Sequence, residues 1–195
     1  VETLKELLVE ELKDIYSAEK QIIQALPKII EGAVSLDLKE ALQAHLEETK
    51  VQVERLDEVF ALLEQKPGEK HCKGMEGLLQ EGAECLAEEE AGPLRDLQLI
   101  GAAQRVEHYE VAAYGTAKAM AEQLGEAGVE DLLGETLDEE EAADETLTEV
   151  AESIYPEVSD AGADDEIEVA DEPEKKAPRG AALQKVGKSN PATGR

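Results

Sequence analysis

The sequence predicts an all-α protein, an antiparallel bundle of four long helices whose second and third members are joined by one long crossover. Three observations carry this. Apolar residues recur at three- and four-residue spacing through most of the chain, the period of a helix face. Aromatic residues make up only 3% of the 195 residues and Trp is absent, which leaves little for a β-rich core, while Leu, Ala, Glu and Val suit helices. Gly and Pro fall between the periodic stretches, and the longest interval lies between the second and the third.

The first stripe is Leu4, Leu8, Ile15, Ile22 and Leu26, up to Pro27, where the helix is expected to end or bend because proline lacks the backbone donor. Asp37, after Ser35, is placed to cap a second helix with the stripe Leu38, Leu42, Leu56, Val59 and Leu63, running to the Lys66-Pro67-Gly68 break. Residues 74–89 carry a weaker stripe and predict a short connecting helix, after which Gly92-Pro93 restarts the chain. Leu94, Leu97, Ile100, Val111, Tyr114 and Leu124 mark the third long helix, closed by Gly125 and Gly128. Val129, Leu133, Leu137, Leu147, Val150 and Ile154 mark the fourth. Helices of about 20 to 28 residues span about 30 to 40 Å, the proportions of a four-helix bundle. The short turn before the second helix makes the first two antiparallel, and the stretch from Gln65 to Pro93 is long enough to travel the bundle's length. One long crossover of this kind is the topology of ferritin-like folds.

The periodicity predicts a bundle over residues 1–155 and a separate tail over 156–195. Residues 157–172 hold acidic side chains and no basic ones, and residues 175–195 the reverse. A stretch so segregated in charge and punctuated by proline buries too little surface to offset its ordering entropy, so a disordered tail is expected. Ile167, Val169 and Leu183 are its apolar anchors should it dock on a protein partner.

Charge narrows the function. Against 47 Asp and Glu stand 19 Lys and Arg, a formal net charge of -28, which argues against direct docking on nucleic acid or anionic lipid and makes cations the natural counter-charge. No apolar run reaches the roughly 18 to 20 residues that cross a bilayer. The first residues, VETLKELLVEELK, are amphipathic and acidic rather than a leader, so a cytoplasmic protein is expected, with Cys72 and Cys85 as reduced, partly buried thiols.

The chemistry lies where acids interrupt the apolar stripes. On the first helix Glu19 falls between Ile15 and Ile22, and Glu11 between Leu8 and Ile15. On the second, His45, Glu48 and Gln52 follow one another within the stripe that resumes at Leu56. On the third, Glu107 is seven residues from both Ile100 and Tyr114, with Glu110 one turn on and His108 bordering the same face. On the fourth, Glu140 lies between Leu137 and Leu147, with Asp144 at i+4. An isolated buried carboxylate costs several kcal/mol and several together repel, unless protons or cations neutralise them. Glu19, Glu48, Glu107 and Glu140 each lie towards mid-helix, where antiparallel neighbours share a level, and a dinuclear iron or manganese centre is the expectation. Glu11 is expected outside it.

The segments YSAEKQI (16–22), HLEETKVQVERL (45–56), AAQRVEHYEVAAYGT (102–116) and TLDEEEAAD (136–144), with the GMEGLL connection at 74–79, resemble the YciF/YciE stress-protein family, DUF892, in order over about residues 2–155. The resemblance implies a ferritin-like, rubrerythrin-related bundle, a homodimer or higher homo-oligomer, a di-iron or dimanganese centre and a link to stress responses. Carried over by residue, it implies metal ligands at Glu19, Glu48, Glu107, Glu110 and Glu140, with Asp144 also matching and His45 as a nitrogen ligand or supporting partner. The sequence departs from the wider di-iron pattern at the Glu-x-x-His pairs, since Val51 follows Glu48 and Ala143 follows Glu140 at i+3. On the fourth helix Glu141 with Asp144 is an alternative to Glu140. Three function classes follow: an oxidoreductase acting on peroxide or iron, an iron-storing or buffering module, and a metal-free dimeric interaction or adaptor protein.

Overall fold

The structure, a computed structural model, describes residues 1–88 and 90–159. Helix α1 spans Leu4–Gly32 and starts at a reciprocal cap: the Glu6 N–H donates to Thr3 Oγ1 (3.1 Å) and the Thr3 N–H to Glu6 Oε2 (3.3 Å). It does not end at Pro27. The ring sits on an exposed position, where water can reach the carbonyl of Ile23 that lacks a helix donor. Helix α2 spans Leu36–Leu62, and its cap is Ser35, whose Oγ accepts from the Leu38 N–H at 3.3 Å; Asp37 is already helical and adds negative charge to the first turn. It stops before Lys66, with Glu64 at φ 56° unwinding the last turn. The short connecting helix, α3, is Lys73–Glu88. Helix α4, Pro93–Leu124, begins on proline and ends at Gly125, whose φ of 71° is the left-handed conformation glycine adopts without strain. Helix α5, Ala127–Ser159, runs through exposed Pro156, so the helix passes the boundary at 155 that periodicity predicts. Residues 160–195, the greater part of the predicted tail, lie outside the described residues.

The order around the bundle is α1, α2, α5, α4, each helix touching its two neighbours. The buried Asp96 near the start of α4 accepts from the N–H groups of Val34 (2.9 Å) and Ser35 (2.6 Å) in the α1–α2 turn. Lys5 and Glu126 pair at 3.4 Å and bring the starts of α1 and α5 together. Every pair of neighbours is therefore antiparallel, and residues 63–92 cross the full length of the bundle between the diagonally placed α2 and α4. The crossover is fastened on its way. The Cys72 N–H donates to Ser17 Oγ (2.9 Å), and the Tyr109 hydroxyl lies 3.0 Å from Cys72 Sγ while donating to Asp14 Oδ2 at 2.7 Å. Among the described residues neither Cys72 nor Cys85 forms a disulfide.

The core comes in two parts. One gathers Ile22, Leu26, Leu42, Leu99, Ile100, Leu147 and Ile154; the other gathers Leu8, Leu12, Ile15, Leu56, Phe60, Ala117 and Leu133. On each long helix the two sets are separated by polar side chains that are just as deeply buried. Among the described residues no helix is long and apolar enough to cross a membrane.

Candidate metal centre

The polar level between the two cores is built from all four long helices. α1 supplies Glu19, α2 supplies His45 with Thr49 and Gln52, α4 supplies Glu107 and Glu110, and α5 supplies Glu140. Glu19 and Glu140 have no exposed surface, and Glu107, Glu110 and His45 have 2%, 1% and 6%. His45, Glu107, Glu110 and Glu140 each offer a ligand atom within 4.8 Å of the others, the spacing a single cation needs. His45 Nε2 lies 3.5 Å from Glu107 Oε1.

Carboxyl oxygens here face other carboxyl oxygens. Both oxygens of Glu110 and Glu140, one each of Glu19 and Glu107, the Oε1 of Gln52 and both ring nitrogens of His45 are buried without a fixed hydrogen-bond partner. A shared proton, a cation or a water donating to both can join such groups. Burial, and then the neighbouring carboxylates, push Glu19, Glu107 and Glu110 well above the usual carboxylate range, and burial pushes Glu140 up to about 7. Burial holds His45 down to about 4, so at neutral pH its imidazole is uncharged and keeps a lone pair for a metal.

Around this set the supports are specific. The buried Tyr114 hydroxyl donates to Glu19 Oε1, and burial with the Glu19 charge pushes the phenol well above its ordinary value. Thr49 Oγ1 bonds the His45 carbonyl at 2.7 Å. Gln52 Nε2 donates to Glu139 Oε2 (3.1 Å), the same carboxylate that Arg55 grips with both guanidinium nitrogens at 2.7 and 2.8 Å. Tyr16, half-buried, packs edge-on against Phe60 at the border of the core, centroids 5.9 Å apart.

Of the residues predicted from sequence, Glu19, His45, Glu107, Glu110 and Glu140 come together. Glu48 does not join the buried set. It is exposed, because it lies about 60° around α2 from His45 at 100° per residue, on the flank towards α5. Asp144 stands beside the cluster, accepting from Gln104 (3.1 Å) and pairing with the exposed His108 (3.4 Å), near enough to add to the upward push on Glu107. Glu141 is exposed, Glu11 is half-buried outside the cluster, and His71 pairs on the surface with Glu76 at 3.1 Å. Sequence reasoning missed Asp96 and Arg55, which sit at helix contacts that periodicity does not mark.

Comparison with known proteins agrees with this architecture. Residues 3–159 match the family described as a domain of unknown function, DUF892. The protein YciF of Escherichia coli K12 is 44% identical over 152 residues, which cover 77% of this chain and 92% of that protein. The crystal structure of that stress protein superposes with a TM-score of 0.78 over 80% of this chain and 99% of its own, at 43% identity. YcfI of Rhodopseudomonas palustris gives 0.74 at 45% identity, covering 76% of this chain and 94% of its own. A ferritin-like, diiron-carboxylate protein of Bacillus anthracis gives 0.60 at 14% identity over 77% of this chain and 99% of its own, a likeness of fold alone. The chain is a member of the DUF892 family, built on a ferritin-like all-α bundle and similar over most of its length to the stress protein YciF.

Proposed function

We propose that Glu19, His45, Glu107, Glu110 and Glu140 hold a dinuclear iron or manganese centre, through which this YciF-like protein handles iron or peroxide. The observation that carries the reading is the set of buried, unpartnered polar atoms that four helices contribute to this level, with no Lys or Arg side chain among them. Their chemistry fits the group. Four carboxylates and one neutral imidazole are hard oxygen donors with one nitrogen, suited to iron or manganese, and two divalent cations balance their four negative charges where one would leave two uncompensated. His45, Glu107, Glu110 and Glu140 would hold one ion; Glu19, which adjoins Glu110 and Glu140, would complete the second. Bound iron or manganese would supply one-electron chemistry towards peroxide. The protein's own part is to exclude bulk water with the two apolar cores, to keep His45 neutral, and to orient Glu19 through the Tyr114 hydroxyl.

A second reading has its own support: the upward displacement of the buried carboxyls lets protons neutralise the cluster in place of metal. The protein would then be a metal-free helical interaction protein, acting as a homodimer or larger homo-oligomer. Metal analysis after exposure to excess iron(II) or manganese(II) and gel filtration separates the two. We expect about two equivalents per chain for the natural protein and none for Glu107→Ala. Retention of metal by Glu107→Ala, or no uptake by the natural protein, overturns the dinuclear centre. Consumption of peroxide by the loaded protein distinguishes turnover from storage.

A further inference from the structure

We propose that the cleft between α2 and α5 is the route by which hydrated divalent cations reach the buried centre, and that Glu48 is its receiving ligand. This rests on the metal reading above. The cleft measures about 330 Å³, and His45 and Glu107 form its floor. Both are more than nine-tenths buried, and their unpartnered polar atoms lie behind that floor out of contact with solvent, so only the floor separates the cleft from the first ligand atoms. Small side chains line it on both sides, Ala41 and Ala44 on α2 and Ala142 and Ala143 on α5, and leave it open.

Its rim is acidic, with Glu48, Asp138 and Glu139. Glu139 is engaged by Arg55 and Gln52, which leaves Glu48 and Asp138 as the exposed rim carboxylates. Such a rim repels anions and concentrates cations. Glu48 stands one helical turn from His45 and on the same flank of α2, so a cation held at the rim is one turn from the first buried nitrogen. A second space against His45 and Glu107 lies under α3. It holds about 30 Å³ and is lined by Ile22, Leu26, Ile29, Leu78 and Val106, an apolar space with room for about one water and none for a hydration shell.

The test uses cobalt(II) alone, whose visible absorption reports binding by oxygen and nitrogen ligands, in stopped flow with the full chain. Glu48→Gln removes the receiving charge, and the double substitution Ala44→Leu with Ala142→Leu fills the cleft at two exposed helix positions. We expect Glu48→Gln to load about ten-fold more slowly at low salt, with a weakened dependence on ionic strength. The filled cleft should load more slowly still, and both variants should reach the natural final stoichiometry on equilibrium dialysis. Either variant loading at the natural rate overturns the route. Loss of stoichiometry in Glu48→Gln also overturns it, by making Glu48 a ligand of the centre. If the natural protein takes up no cobalt, iron or manganese at all, the metal reading fails and the route with it.

Discussion

Replacing Glu140 by Gln should stabilise the metal-free protein above neutral pH and leave it unchanged in mild acid. Glu140 is fully buried, and burial, with added repulsion from Glu139 and Glu48, places its pKa at about 7 against 4.5 when exposed. The sign follows from which state binds the proton more tightly. Below pH 4.5 both folded and unfolded chains carry it, and nothing is lost. As pH rises from 4.5 to 7 the unfolded chain releases its proton first, so the folded state loses stability until Glu140 itself ionises. A displacement from 4.5 to about 7 corresponds to roughly 3 kcal/mol. Gln keeps the size of the side chain without the ionisation, so at pH 8 Glu140→Gln should melt about 6 to 12 °C above the natural protein, and at pH 4.5 alongside it. His45 works the other way: with its pKa held at about 4, the unfolded chain binds more protons between pH 4 and 6.5, and stability rises across that window by a comparable amount. In the natural protein the two contributions nearly offset, and the raised Glu19, Glu107 and Glu110 add to the side of Glu140. The difference between variant and natural protein isolates Glu140. Thermal melts of chelator-treated samples from pH 4.5 to 8.5 measure it, and a variant no more stable than the natural protein at pH 8 refutes the reasoning. Saturating manganese(II) should reverse the order at pH 8, because the ion stabilises only the chain that keeps its ligand.

Two further perturbations test the frame around the site. Asp96→Ala strips the acceptor from the Val34 and Ser35 N–H groups and should cost about 2 to 4 kcal/mol by urea unfolding, with Asp96→Asn losing less. Ending the chain after Ser159 should leave the melting temperature within a few degrees, because residues 160–195 contain no periodic apolar face to bury; a larger fall shows that the tail packs on the bundle.

Which parts of this molecule are legible in the sequence depends on whether many residues or one determine the feature. The long stripes of α1, α2, α4 and α5 are each fixed by several apolar side chains, so helix identity, the crossover and the antiparallel order all follow from spacing. Ends depend on single residues. At Pro27 and Pro156 a local rule against proline gives way, since an exposed ring leaves its orphaned carbonyl within reach of water. At the start of α2, Ser35 and Asp37 both have capping side chains, and the backbone of Ser35 happens to be the one left outside the helix. Asp96 escapes notice because its partners lie in a turn some 60 residues earlier in the chain, and no local pattern encodes that contact.

Glu48 and His45 are both legible as site candidates in the sequence, and the fold separates them by burial. Both interrupt the same stripe of α2, and the three- and four-residue steps that link His45, Glu48 and Gln52 do not by themselves choose between them. The choice is made by the whole arc. Taking His45 as zero at 100° per residue, Leu38 and Leu56 both lie near 20°, Val59 near -40° and Leu63 at 0°, so the core direction passes through His45 and Gln52, while Glu48 at about -60° falls on its edge. A position at the edge of a helix's buried face is where a charged group can reach both the rim of a cleft and the buried level beneath it. The same reasoning makes the buried level costly. Four carboxyls from three helices, with His45 from the fourth, divide a core that apolar residues would fill at lower free energy, and within a chain already carrying a net charge of -28 each further ionisation adds to the repulsion. Protons can offset that cost only below the raised pKa values, whereas divalent cations can offset it at any pH where the ligands are free to bind them.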